Sequence, residues 1–228
     1  MSIATIPPVT EPVVNRSRFR LPPDQYVPQS VRKDLIVLHF TASSSAQSVW
    51  NTWSQKSKGT PLRVATAYVI DTDAAIFEFF PPEHWAWHLG MTGKNPGFIH
   101  DQRSIGIEIV NVGPLRPDSA KPNQLNWWPN NFGTRYCSLA ETDKYIGAEH
   151  RGEKYFAAFG PGQAIAVRNL VYSLCRQFGI PRKVAAPDRL TACDLAYFGS
   201  FSGVASHQNF RSDKFDMGPA WDWAALEL

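Results

Sequence analysis

The sequence predicts an α/β fold in which a mixed central β-sheet is flanked by helices. Three observations carry that expectation. Asp34 to Phe40 (Asp-Leu-Ile-Val-Leu-His-Phe) is a short, nearly continuous apolar run, the pattern of a strand buried on both faces. Ser104 to Asn111 alternates with period two, and Val167, Leu170, Val171, Leu174 and Phe178 recur at helical spacing. With 228 residues, 43% of them hydrophobic, the chain can bury a substantial core as one domain with elaborations.

Taken in order, residues 1–30 form a proline-rich arm that holds Pro7, Pro8, Pro12, Pro22, Pro23 and Pro28. That density removes amide donors and rules out regular helix or central strand. The arm reads as extended, and the sequence leaves open whether it lies across the domain or moves freely. The domain proper spans 31–228. His39 sits near the end of its first strand. Ser44 or Ser45 can cap a helix in which Ala46, Val49, Trp50 and Trp53 recur. Ala67–Ile70 and Ala75–Phe80, separated by Asp71-Thr72-Asp73, predict a hairpin. In the run from Ser104, Ile105, Ile107 and Ile109 face one way, while Glu108 faces the other with Gly106. Periodicity then fails from about 112 to 161, where Pro, Asn and Gly recur around Trp127, Trp128, Tyr155 and Phe156. This stretch reads as an irregular insertion. The helix over Val167–Phe178 follows Gly160-Pro161-Gly162 and closes at Gly179 and Pro181. The segment from Gly199 to Trp223 reads as loop, and it carries His207, Lys214 and Asp216.

The charge balance is slightly basic, 23 Lys and Arg against 20 Asp and Glu, with no long run of one sign, so no dedicated nucleic-acid binder is expected. No stretch approaches the roughly 18 apolar residues that a membrane span requires. The N-terminal residues lack a basic segment ahead of an apolar one and do not read as a secretory signal. Cys137, Cys175 and Cys193 show no C-x-x-C spacing and imply neither a disulfide framework nor a cysteine metal site.

Imidazole nitrogen and carboxylate oxygen both suit Zn²⁺, and three protein ligands leave a fourth position for water. Taken bare, His39 and His207 lie far apart in the chain, and the default reading of each is a buried histidine bonded to backbone rather than a ligand. Four runs in order change that reading: IVLHFTAS at 36–43, EHWAWHLG at 83–90, SIGIEIVN at 104–111 and SHQNFRSDKFDMGP at 206–219. Together they resemble the zinc-dependent N-acetylmuramoyl-L-alanine amidases, a family related to phage amidase lysozymes and peptidoglycan recognition proteins.

The resemblance implies the amidase-like mixed-sheet fold and a Zn²⁺ cofactor held by His39, His207 and Asp216. It also implies hydrolysis of the amide between N-acetylmuramic acid and L-alanine in peptidoglycan or a muropeptide. Glu108 matches the family's acidic strand residue and would shuttle a proton from water to the departing amine. Lys214, two residues before Asp216, would stabilise the oxyanion with the metal. His88 in the WHLG run would contact substrate or support a ligand, with support the preferred reading. Trp85 and Trp87 are assigned mainly to the core. Trp127 and Trp128 would either stack on sugar rings or form a hydrophobic cover. His84, His100 and His150 carry no motif and are expected at the surface. The rival readings are a recognition module that binds wall fragments without cutting them, and a cytoplasmic amidase that recycles soluble muropeptides. A zinc peptidase acting on ordinary peptides lacks its H-E-x-x-H helix motif. The expected protein is a monomer made in the cytoplasm that acts on the cell wall after release or delivery.

Overall fold

The computed structural model describes residues 7–91, 98–127 and 133–228. In chain order its elements are β1 (Val14–Asn15), β2 (Leu35–Phe40), α1 (Ala46–Trp53), β3 (Lys56–Ser57), β4 (Thr60–Pro61), β5 (Tyr68–Ile70) and β6 (Ile76–Glu78). Then come α2 (Ile99–Arg103), β7 (Ser104–Ile109), β8 (Pro114–Pro117), β9 (Gln124–Trp127), β10 (Arg135–Ser138), β11 (Tyr145–His150) and β12 (Glu153–Ala157). The long helix α3 (Pro161–Phe178), the single turn α4 (Leu195–Phe198) and β13 (Gly203–Ser206) complete the set.

The central sheet has six strands in the order β1-β6-β5-β7-β2-β13. Only β5 and β6 pair antiparallel; β5, β7, β2 and β13 run parallel. The sheet is therefore mixed, with the predicted hairpin at β5–β6. Apolar residues at successive positions of β2 serve opposite faces. Ile36 and Leu38 join Val167, Leu170, Val171 and Leu174 of α3 in the larger core, while Leu35 and Val37 pack with Leu89, Phe198, Phe201, Ala205 and Phe210. Ser45 caps α1 by accepting the Ser48 amide, and Gly179 closes α3 in the left-handed conformation.

Two expectations are corrected. The stretch 112–161 is not irregular: β8 to β12 make a second, antiparallel sheet in the order β10-β9-β8-β12-β11. Its strands are only four to six residues long and mix polar with apolar positions. Its core is small, with Val112, Leu115, Leu125, Cys137 and Ala157 at its centre, so no long apolar run announces it. Pro122, Asn123, Gly133 and Gly152 lie in turns between those strands, whereas Pro114, Pro117, Asn126 and Gly147 lie within them. The tail also holds a strand that its composition hides. Gly203–Ser206 has few strand-forming side chains, and pairing with β2 imposes the extended form.

The proline-rich stretch, as far as it is described, is fastened to the domain. Val14 and Asn15 pair with Ile76 and Phe77, Leu21 and Tyr26 are buried in the larger core, and the buried Arg168 donates to the Pro7 carbonyl at 2.6 Å. Among the described residues no helix is long and apolar enough to cross a membrane.

Candidate metal centre

Side-chain alternation decides which residues meet. On the face of the central sheet opposite α3, β2 presents Leu35, Val37 and His39, β7 presents Ser104, Gly106 and Glu108, and β13 presents Ala205 just before His207. In open α/β sheets, ligands bind beyond the carboxyl ends of parallel strands. His39, Glu108 and His207 all stand at that edge. Asp216 comes from the loop after β13, whose Asp216 carbonyl accepts the Gln208 amide at 2.9 Å.

His39 Nδ1 lies 3.0 Å from His207 Nδ1, and Asp216 Oδ2 is 3.3 Å from the first and 3.2 Å from the second. All three side chains are buried. Their hydrogen-bond partners fix what those atoms carry. The Ser104 hydroxyl donates to the His100 carbonyl at 2.5 Å, so toward His88 Nε2, at 2.8 Å, the same oxygen accepts. A neutral His88 then has only a lone pair on Nδ1, which accepts from His39 Nε2 at 2.9 Å. His39 keeps its own lone pair on Nδ1. His207 Nε2 donates to the Leu89 carbonyl at 3.0 Å, so the neutral form of that ring has its lone pair on Nδ1 as well.

With both rings neutral, two imidazole lone pairs and a carboxylate oxygen converge. A cation between them would offset their mutual repulsion. Ligands about 2.0–2.1 Å from a tetrahedral zinc stand roughly 3.3 Å apart, close to the separations seen. The donor set fits Zn²⁺. Burial takes His39 down to about 4 and His88 well below the ordinary imidazole range. Both rings are neutral near pH 7, as ligand and support require.

The Glu108 side chain is buried, and its Oε2 has no hydrogen-bond partner among the described residues. Burial pushes its carboxyl well above the usual range, the charge of Asp216 adds to this, and the Lys214 ammonium opposes it. Glu108 and Lys214 both line a cleft of about 490 Å³ together with the three candidate ligands, His88, Trp53, Trp87 and Arg211. Gly106 leaves the space His88 occupies: a Cβ there would stand 3.1 Å from His88 Nδ1 and 2.7 Å from Thr66 Cγ2.

Other assignments shift. Trp85 is buried, whereas Trp87 is half-buried and walls the cleft, stacked on Phe98 at 5.3 Å. Trp127 packs against the small core of the second sheet and does not line the cleft; Trp128 lies outside the described residues. His100 is buried rather than exposed, because its ring packs on Phe210. Neither remaining histidine is free at the surface: His84 stacks on Tyr26, and His150 bonds Gln208 at 2.9 Å. Sequence reasoning missed Ser104 and Leu89, which orient the two histidines. The Ser104 signal was present as the polar start of an otherwise apolar strand, on the face of Gly106 and Glu108.

Residues 29–132 match the family described as N-acetylmuramoyl-L-alanine amidase. The match covers a little under half of the chain. It includes His39, His88 and Glu108, while His207, Lys214 and Asp216 lie beyond it. No curated protein sequence matches the chain significantly. Among solved structures, the chain is similar to the N-acetylmuramyl-L-alanine amidase AmiD from E. coli, in complex with the substrate anhydro-N-acetylmuramic acid-L-Ala-D-gamma-Glu-L-Lys. That match has 20% identity and a TM-score of 0.50, and it covers 88% of this chain and 58% of AmiD. AmpDh3 from Pseudomonas aeruginosa matches at 20% identity and a TM-score of 0.49, covering 88% of this chain and 61% of that one. The endolysin amidase LysCS from Clostridium intestinale matches at 13% identity and 0.47, covering 96% of each. The chain thus spans well under two thirds of the length of AmiD, and at these identities the amidase likeness concerns the fold.

Proposed function

We propose that the protein is a zinc-dependent N-acetylmuramoyl-L-alanine amidase acting on peptidoglycan or muropeptides. The observation that carries this reading is the convergence of two imidazoles and a carboxylate at metal-ligating distance beside the buried Glu108, whose Oε2 has no partner among the described residues, in a cleft. His39, His207 and Asp216 would hold the ion. Bound there, zinc supplies Lewis acidity toward the attacking water and the scissile carbonyl.

The chain's own residues do the rest. Glu108, with an affinity for protons raised by burial, takes one from the attacking water and passes it to the amine nitrogen as the C–N bond breaks. The Lys214 ammonium faces the oxygen on which negative charge builds in the tetrahedral transition state. Trp53, Trp87 and Val64 give the cleft apolar walls, and its volume falls within the ordinary range for ligand clefts, about 300–1,000 Å³. The products are a glycan with a free lactyl carboxylate and a stem peptide with a free L-alanine amine.

Mass spectrometry of purified sacculi and of soluble muropeptides, incubated with zinc-loaded protein, tests this reading. Release of peptides beginning with L-alanine is expected. Binding to sacculi without any release, at full zinc occupancy, would replace the amidase by a recognition module. Release from soluble fragments alone would assign the protein to recycling rather than wall lysis.

A further inference from the structure

The turn between β11 and β12 of the second sheet touches the segment that carries Lys214 and Asp216. β11 and β12 are joined by a two-residue turn, Arg151-Gly152, closed by the pair His150 and Glu153. Both turn residues have positive φ, 51° and 84°. Turns of that kind favour Asn, Asp or Gly at the first position, because a side chain with a full Cβ is strained there. An arginine held in such a place points to a use for its side chain.

That side chain reaches the backbone of the metal-centre loop. Arg151 Nη1 donates to the Ser212 carbonyl at 2.9 Å, to the Arg211 carbonyl at 3.4 Å, and to the Lys214 carbonyl, while Nη2 approaches the Thr191 carbonyl at 3.5 Å. The neighbouring His150 adds a bond to Gln208, next to His207. At the foot of the hairpin, Glu153 is gripped by Arg116 of β8, so the turn rests on a fixed base. The loop itself, 210–218, has no helix or strand. Its internal backbone bonds include Lys214 to Arg211 at 3.3 Å, and Asp216 is tied back to Gln208.

We infer that Arg151 is a positioning residue, and that the second sheet serves as a buttress whose guanidinium tip holds the 211–214 backbone so that Lys214 and Asp216 face the cleft. Planar guanidinium suits this task, since its donors are fixed relative to one another and can serve several carbonyls at once. The inference rests on the amidase reading for its catalytic consequence, but not for its structural one.

Two variants test it. Arg151→Asn suits the turn better than arginine and removes the reach; Arg151→Lys keeps the charge but offers a single point donor. Hydrogen exchange of amides 210–216 in the metal-free protein, zinc dissociation constants by chelator competition, and kcat and KM on a muropeptide are the readouts. For Arg151→Asn, faster exchange confined to 210–216 is expected, with zinc bound about 10–100-fold more weakly and kcat reduced at a KM near wild type. Arg151→Lys should recover part of each loss. Unchanged exchange and zinc affinity in Arg151→Asn would overturn the inference. If the wild type cleaves no muropeptide yet Arg151→Asn loosens the loop and the zinc, the buttress stands and only the amidase reading falls.

Discussion

His39 of β2 and Glu108 of β7 are direct partners in the parallel register, side by side on one face of the central sheet. A candidate ligand and a candidate proton carrier are thereby held at a separation set by the strand pairing, not by a flexible loop. The backbone of two interior strands fixes both, and the chemistry assigned to each follows from what surrounds its side chain.

Glu108→Gln keeps the shape and removes the base. Turnover is expected to fall by roughly 10²–10⁴ with zinc content unchanged. As a base, Glu108 must be ionised, so activity should rise with pH through its folded pKa, which burial sets above the usual carboxylate range. Lys214→Ala removes an ammonium that lowers that pKa and should move the acid limb to higher pH. A pH–rate profile of kcat/KM for wild type and Lys214→Ala checks the sign; a limb that stays in place or moves to lower pH would exclude Glu108 as the titrating base.

The chain of bonds from the His100 carbonyl through Ser104 and His88 to His39 sets the ring of His39 with its lone pair toward the ligand cluster. Ser104→Ala leaves His88 free to take the other tautomer, and His88→Ala leaves His39 Nε2 without its partner. Zinc affinity should drop about 10–100-fold in each, with the drop in the double variant well short of the product, since both act on one path. Chelator competition measures this directly. Multiplying losses would show two independent contributions instead.

With both rings neutral the three donors repel one another when no cation lies between them, so zinc should stabilise the folded chain. At a free concentration 100 times the dissociation constant the gain is about 2.7 kcal/mol, roughly 5–10 °C in melting temperature for a chain of this size. Thermal unfolding followed against zinc concentration should show this shift in the wild type. His207→Ala should show little of it. An equal shift in both would place the stabilising ion elsewhere.

The sequence made the scaffold legible where burial is two-sided or strictly one-sided: β2, β7 and α3 are all visible as periodicity, and the β5–β6 hairpin is visible from its turn residues. β13 and the second sheet were not, because their extended form is imposed by neighbours on short stretches of mixed composition. The candidate ligands were named only through four ordered motifs, since no local spacing joins His39 to His207. What the sequence could not show was which atom of each ring faces inward. That depends on a serine hydroxyl and a backbone carbonyl from other parts of the chain, and on Gly106 leaving room for His88.

The proline-rich stretch ahead of β2 has a practical consequence. The segment that matches the amidase family begins at residue 29, yet β1, Leu21 and Tyr26 come before it. A chain shortened to start at that boundary would lose the strand that lies along β6 and two side chains from the larger core. It would expose an unpaired sheet edge beside a hollowed interior, a combination that invites self-association through strand pairing. Trimming the protein to its recognisable domain therefore removes part of what covers its sheet edge and fills its core.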